Sequence, residues 1–331
     1  MELALFFFML TSAFSGSRPE TIVYGKFSAA QTEIKLEDIT SSYLLKEEDK
    51  ILTTTTGVTG DFAIRPKPAL PGYYRLGCNI LFLKHGDDLK VSIDRSDPKL
   101  STFEGVGSSV NIFLKDTPIP QEGSYLDDGK NLPAAPQDAI DEIINSGKIR
   151  NIALNDLKGT THRFRKLERA RIKADVVNSI LSVPRYLAKL KMAPDSSRKY
   201  LLRFKALSSP LLESHCASLE NPDYLQLDVY KILAKYLIAR SKEKGLDKAS
   251  LHKVEDWIKA DSLIQKMKGM KNRETIEDFS TELDSIKFSK YRRAAKKIKT
   301  ELLEKLGEGK VKGLPAPTEK QRHDVPFSSS Q

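Results

Sequence analysis

Residues that usually carry chemistry are scarce in this sequence. Only two cysteines, Cys78 and Cys216, occur among 331 residues, 138 positions apart. No C-x-x-C pair is present, which excludes a dithiol redox centre within these residues. The five histidines, His85, His162, His215, His252 and His323, are scattered without the spacing of a metal site. His252 and Glu255 stand three apart on one predicted helix face, and in a helix this charged such a spacing reads as a surface pair. G-x-x-x-x-G-K, G-x-G-x-x-G and G-x-S-x-G are all missing. Gly105-x-Gly107-Ser-Ser109 has the glycines of a phosphate cradle without the rest of the motif, and reads as a turn. We assign no catalytic residue, no cofactor and no metal on this basis.

Long apolar runs are equally rare. Residues 3–14, LALFFFMLTSAF, form one of 12, too short for the about 20 residues that span a bilayer. Its length and the small residues after it suit the apolar core of a secretory signal peptide. Ala13 and Ser15 stand at −3 and −1 for a cut before Gly16, and Ser15 and Ser17 offer a second site. The start departs from the pattern in carrying Glu2 and no Lys or Arg. The expectation is an exported protein, periplasmic or in the cell envelope, with no transmembrane span after processing.

Charge is plentiful but uneven. The net charge is +10, yet residues 1–150 hold 16 Lys and Arg against 21 Asp and Glu. Residues 151–331 hold 38 against 23, a balance of +15. Two basic clusters carry much of this: Lys158, Arg163, Arg165, Lys166, Arg169, Arg171 and Lys173, then Lys287, Lys290, Arg292, Arg293, Lys296, Lys297 and Lys299. Solvated helix faces look like this, and so do surfaces that meet anionic membranes. Neither cluster has regular aromatic interleaving, and export separates the chain from nucleic acid, so no nucleic-acid partner is expected.

Periodicity divides the chain in two. From 21 to about 103, period-two alternation or short apolar runs alternate with turn residues. The predicted strands are 21–27, 33–37, 51–56, 61–65, 73–78, 79–84 and 89–93, a spacing that fits an antiparallel sandwich. Beyond Pro136 the period is helical. One helix starts at Pro136 and should stop at Gly147; another carries Ile172, Val176, Val177, Ile180 and Leu181 and should break or kink at Pro184. Asn221 should cap a third, with Leu225, Val229, Ile232 and Tyr236 as its stripe. Leu251, Val254, Trp257 and Ile258 mark the next, Ile276, Phe279, Leu283 and Ile286 one more, and 291–306 the last. The fold class expected is α+β: a signal peptide at 1–17, an antiparallel β-sandwich at 18–120, a helical domain at 121–307 and a disordered tail at 308–331. Cys78 falls in a strand-like run and Cys216 in a helical one. In an oxidising compartment they could pair; as buried small hydrophobes they would not.

An ordered set of motifs adds a family resemblance. Pro71-Gly-Tyr-Tyr-Arg-Leu, Ile80-Leu-Phe-Leu, Gly86-Asp-Asp-Leu-Lys-Val-Ser-Ile-Asp94, Phe103-Glu-Gly105 and Asn111-Ile-Phe-Leu114 follow one another. This resembles the amino-terminal region of the exported thioredoxin-like (TlpA-type) disulfide oxidoreductases of Bacteroidetes. In that family a signal peptide, a β-sandwich and a helical region precede a thioredoxin domain, which opens on a Gly-x-x-Ala-Pro segment that Gly313-Leu-Pro-Ala-Pro317 matches. The catalytic C-x-x-C would lie downstream and does not occur in this sequence, and neither Cys78 nor Cys216 occupies that motif. The resemblance therefore implies a non-catalytic accessory scaffold, truncated before its redox domain, that binds protein or peptide substrates. A peripheral binder of anionic envelope components, acting through the basic helical half, is the alternative.

Overall fold

The computed structural model describes residues 19–40, 45, 51–68, 70–117, 124–190, 193–245 and 249–307. The expected signal peptide, the tail and the segment from Gly313 lie outside the described residues. The chain is a mixed α and β protein with two four-stranded sheets. It divides into two compact units. One joins the described residues up to Glu37 with Leu52–Lys115, and the other joins those from Asp38 to Ile51 with those from Asp116 onward.

The strands of the first unit are β1 (Ile22–Phe27), β2 (Glu33–Asp38), β3 (Ile51–Thr55), β4 (Asp61–Ile64), β5 (Gly72–Leu76), β6 (Asn79–Leu83), β7 (Asp88–Ile93) and β8 (Thr102–Gly105). One sheet has the order β4-β1-β7-β8 and the other β3-β2-β5-β6. Alternation decides which side chains go inward. Val23 and Phe27, Ile34 and Leu36, Phe62 and Ile64, and Leu89, Val91 and Ile93 join Leu76, Leu81 and Phe103 in one buried cluster fed by both sheets.

One pairing corrects the expected all-antiparallel arrangement. Strand β1 runs antiparallel to β4 but parallel to β7, with Val23 opposite Leu89 and Phe27 opposite Ile93. More than sixty residues separate β1 from β7, so no hairpin dictates their direction, and the register that buries both apolar rows prevails. The pair leaves no room for a side chain at Gly25, whose φ is +139°. A Cβ there would lie 1.9 Å from the Val91 carbonyl oxygen, so only glycine fits.

The turn expected at Gly105–Gly107 leads into a helix that periodicity did not reveal, α1 (Ser108–Lys115). Its buried Asn111 completes the edge strand β6: Oδ1 accepts from the Phe82 amide at 2.8 Å while Nδ2 donates to the Phe82 carbonyl at 3.3 Å. A side-chain amide thus stands where the next strand would pair. Nor is the glycine turn a phosphate cradle. A Cβ on Gly107 would meet the buried Asp87 carboxylate at 3.0 Å, an anion where an anionic ligand would have to sit.

In the second unit α2 (Pro136–Asp156), α3 (His162–Lys189) and α4 (Pro194–Ala217) share a buried cluster of Ile140, Ile143, Val176, Ile180, Tyr186 and Phe204, among others. Helix α2 begins at Pro136 as expected but does not stop at Gly147. That glycine is buried mid-helix, and a Cβ on it would stand 3.0 Å from Val176 Cγ2, so it permits close packing of α2 on α3 and does not cap. Nor does Pro184 end α3, which continues to Lys189. Pro184 removes one backbone hydrogen bond, but Val183, Tyr186 and Leu187 on either side are buried and hold the helical path.

The remaining helices are α5 (Asp228–Glu243), α6 (Ala249–Gly269), the short α7 (Arg273–Glu277) and α8 (Ser280–Asp284), and α9 (Ser289–Gly307). Asn221 caps a 3-10 turn, Pro222–Gln226, ahead of α5. The change of helical pitch shifts the predicted stripe: Val229, Leu233 and Leu237 are buried while Ile232 is exposed. Helix α9 buries Tyr291, Ala295 and Ile298, and its first turn is capped across the unit by buried Asp256, which accepts from the Phe288 amide at 2.6 Å.

Two substitutions test this packing by chemical denaturation. Gly147→Leu overfills the α2–α3 contact and should destabilise the helical unit by about 1–3 kcal/mol. Asn111→Leu strips the Phe82 amide and carbonyl of their partners and should cost the strand unit about 1–3 kcal/mol. An unchanged unfolding midpoint in either variant would contradict the contact assigned to it.

Candidate functional site

The basic clusters do not form two open stripes. In the first, Arg171 is buried and its Nε donates to Glu168 Oε1 at 3.0 Å. Arg165 donates to the carbonyls of Leu154, Asn155 and Leu157 and to Thr160 Oγ1, closing the carboxyl end of α2. Arg163 reaches Gln226 and Arg169 reaches Asn155. In the second, Lys296 pairs with Asp284 at 2.6 Å, Lys299 donates to the Glu277 carbonyl and Ser280, and Arg292 donates to the Ile286 carbonyl. Much of this positive charge ties helix ends together.

His252 and Glu255 do not form a metal pair, since Glu255 accepts from Lys242 at 3.0 Å. That ion pair and the neighbouring amine hold its carboxyl below the usual range. His215 Nδ1 lies 3.0 Å from the Leu211 carbonyl of its own helix, and burial lowers its pKa. Among the described residues no group of three or more His, Cys, Asp or Glu side chains could hold a metal ion. Both cysteines are free thiols. Cys216 is buried, but Cys78 is exposed in the β5–β6 turn, where its thiol donates to the Arg95 carbonyl at 2.9 Å. Partial burial raises both thiols above their ordinary value, which makes them poor nucleophiles.

Two constellations remain, and sequence reading anticipated neither. The first lies inside the helical unit. Glu168, Arg171 and Asp175 follow one another at i, i+3 and i+7 on the buried face of α3, joined by Arg150 of α2 and by Tyr125. Arg150 Nη2 donates to Thr117 at 2.6 Å, and the Tyr125 amide to Ser179 Oγ at 2.9 Å. Burial pushes the Asp175 carboxyl well above the usual range, a rise that Glu168 reinforces and that Arg171 and Arg150 oppose. Burial likewise raises the Tyr125 phenol and lowers Arg150. Perturbed groups of this kind mark catalytic sites when they line a cleft. These are packed between helices, with Glu168, Arg171 and Asp175 each under 3% exposed, and the arrangement is that of a buried ionic core.

The second is the outward face of the β4-β1-β7-β8 sheet. Side chains alternate outward from the parallel pair at Tyr24, Lys26, Lys90 and Ser92, flanked by Asp61 on β4 and by Thr102 and Glu104 on β8. They line a concavity of about 450 Å³, which Gly25 also lines. A second concavity of about 460 Å³ adjoins it, sharing Lys26 and Ser92 and reaching Val58 and Leu100. Those two apolar side chains are 76% and 66% exposed. Glu104 engages Lys90 at 3.0 Å, Thr59 donates to Asp61, and Asp94 accepts from Ser96 and Asp97, bonds that hold its carboxyl below the usual range. Lys26, exposed at the junction of the concavities, takes part in no ion pair among the described residues.

The ionic core gives a pH dependence with a definite sign. A carboxyl whose folded pKa is raised contributes fully to stability below the ordinary carboxylate range, and that contribution is lost as pH rises through the folded value. Asp175→Asn, the uncharged isostere, should match the wild type in urea unfolding near pH 3.5 and become progressively more stable than it toward pH 8. A variant that loses stability relative to wild type as pH rises would show that Asp175 acts as an ionised partner of the arginines.

No family model, curated protein or solved structure matches the chain, so what it can do has to be derived from its own residues.

Proposed function

We propose that this protein is an exported, non-catalytic binding scaffold of the cell envelope, whose two sheets stack as a β-sandwich ahead of a helical domain and whose ligands are proteins or peptides. The observation that carries the reading is the outward face of the β4-β1-β7-β8 sheet. It joins two concavities, an uncommitted amine and exposed apolar side chains in one continuous surface. A groove along a sheet, apolar at one end and polar at the other, suits an extended chain better than a compact small molecule.

The motif order supports placing the strand unit with the accessory regions of TlpA-type proteins. Each motif falls on a successive element: Pro71 to Leu76 on β5 and its approach, Ile80 to Leu83 on β6, Gly86 to Asp94 on β7, Phe103 to Gly105 on β8, and Asn111 to Leu114 on α1. The single cluster fed by both sheets supports the sandwich.

The reading is tested with an acidic, permanently unfolded protein, reduced and carboxymethylated α-lactalbumin. The purified chain should bind it in a pull-down and by calorimetry, and should not accelerate the reduction of insulin by dithiothreitol. Catalysed insulin reduction, or no binding of any unfolded protein, would contradict the proposal.

A further inference from the structure

We infer that the paired concavities on the β4-β1-β7-β8 sheet bind an extended peptide in which an acidic side chain meets Lys26 and an apolar side chain two residues away seats between Val58 and Leu100. This rests on the binding-scaffold reading and names the chemistry of the ligand.

Charge fixes the first requirement. Lys90 is held by Glu104, and the Asp61 and Asp94 carboxylates accept from neighbouring hydroxyl and amide groups. Lys26 is thus the cation at the junction without a partner among the described residues. Asp61 faces it across the β1–β4 ladder but forms no ion pair with it within 4.0 Å among the described residues. An incoming carboxylate would gain a charge-assisted hydrogen bond there without displacing an existing one.

Apolar surface fixes the second. Val58 stands in the turn that carries the chain from β3 to β4, and Leu100 ends the short 3-10 turn after β7. Both line one concavity, together with Phe27, Ala29 and Ala30. Side chains this exposed contribute nothing to the core, and an apolar group seated between them would gain about 0.8 kcal/mol per buried methylene.

The backbone fixes the extended form. The groove follows β1 and β7, along which outward side chains recur every second residue, about 6.6 Å apart. A peptide laid along them presents its own alternate side chains at the same interval. Its acidic and apolar groups must therefore alternate with residues that face solvent.

The probe is a fluorescein-labelled octapeptide, Glu-Ser-Leu-Ser repeated twice, followed by fluorescence polarisation. Two control peptides carry lysine for glutamate or serine for leucine. Wild type should bind the first peptide, weaken as salt rises, and bind each control at least about tenfold more weakly. Lys26→Glu and, separately, Val58→Asp with Leu100→Asp should each reduce affinity about tenfold or more. All three sites are exposed, and unchanged circular dichroism and unfolding midpoints would confirm intact variants. Binding that ignores these substitutions places the peptide elsewhere and overturns the groove while leaving the scaffold reading intact. Binding of carboxymethylated α-lactalbumin without binding of the octapeptide overturns the proposed ligand chemistry alone. Failure to bind either overturns both.

Discussion

The strand unit depends on one close approach, the parallel contact of β1 with β7 at Gly25. It places β1, the first strand among the described residues, inside its sheet, where β1 joins β4 on one side to β7 and β8 on the other. Without it the β4–β1 pair would be parted from β7 and β8, and the inward rows of Val23 and Phe27 would not meet Leu89, Val91 and Ile93. The backbone at Gly25 also lines the outer concavity, beside Tyr24 and Lys26.

The helical unit uses charge in the opposite sense. Several of its basic residues, Arg165, Arg169, Arg292, Lys296 and Lys299 among them, meet carbonyls, carboxylates or side-chain oxygens of neighbouring elements, and the deeply placed Arg171 lies among Glu168, Asp175 and Arg150 in a buried ionic core. Burying charge is costly, so such a core adds little stability over an apolar one. The close packing of α2 on α3 comes instead through Gly147, beside Val176. The large positive balance of this half is therefore only partly available to an outside partner.

The local pattern of the strands was plain in the sequence. Alternation placed seven of them to within a residue or so at most ends, because one face of each is apolar and turn residues punctuate the series. Their pairing was not legible, since period two says which face is buried but nothing of which strand lies beside which; the parallel β1–β7 pair is the consequence. Gly147 does not stop its helix and Pro184 does not end its own, for a shared reason. Both residues are helix breakers by local propensity, and both are overridden by burial of the residues around them. Helix α1 is only eight residues long and closes a strand edge with a single asparagine, too brief for a periodic signal. The ionic core did leave a trace, acids at i−3 and i+4 from an arginine inside an otherwise apolar helix face, which merged with the general basic run from 158 to 173. The outer groove left none, because Lys26 on β1 and Val58 and Leu100 in two separate turns come together only in the fold.

The central claim is that the outward face of the β4-β1-β7-β8 sheet is where this protein meets its partner. Hydrogen–deuterium exchange, read by mass spectrometry with and without carboxymethylated α-lactalbumin, tests it most directly. The account predicts slowed exchange in segments 24–30, 57–61 and 90–101, with the helical unit unchanged. Protection confined to α2 through α9, with those three segments unaffected, would contradict it and move the binding surface to the helical unit.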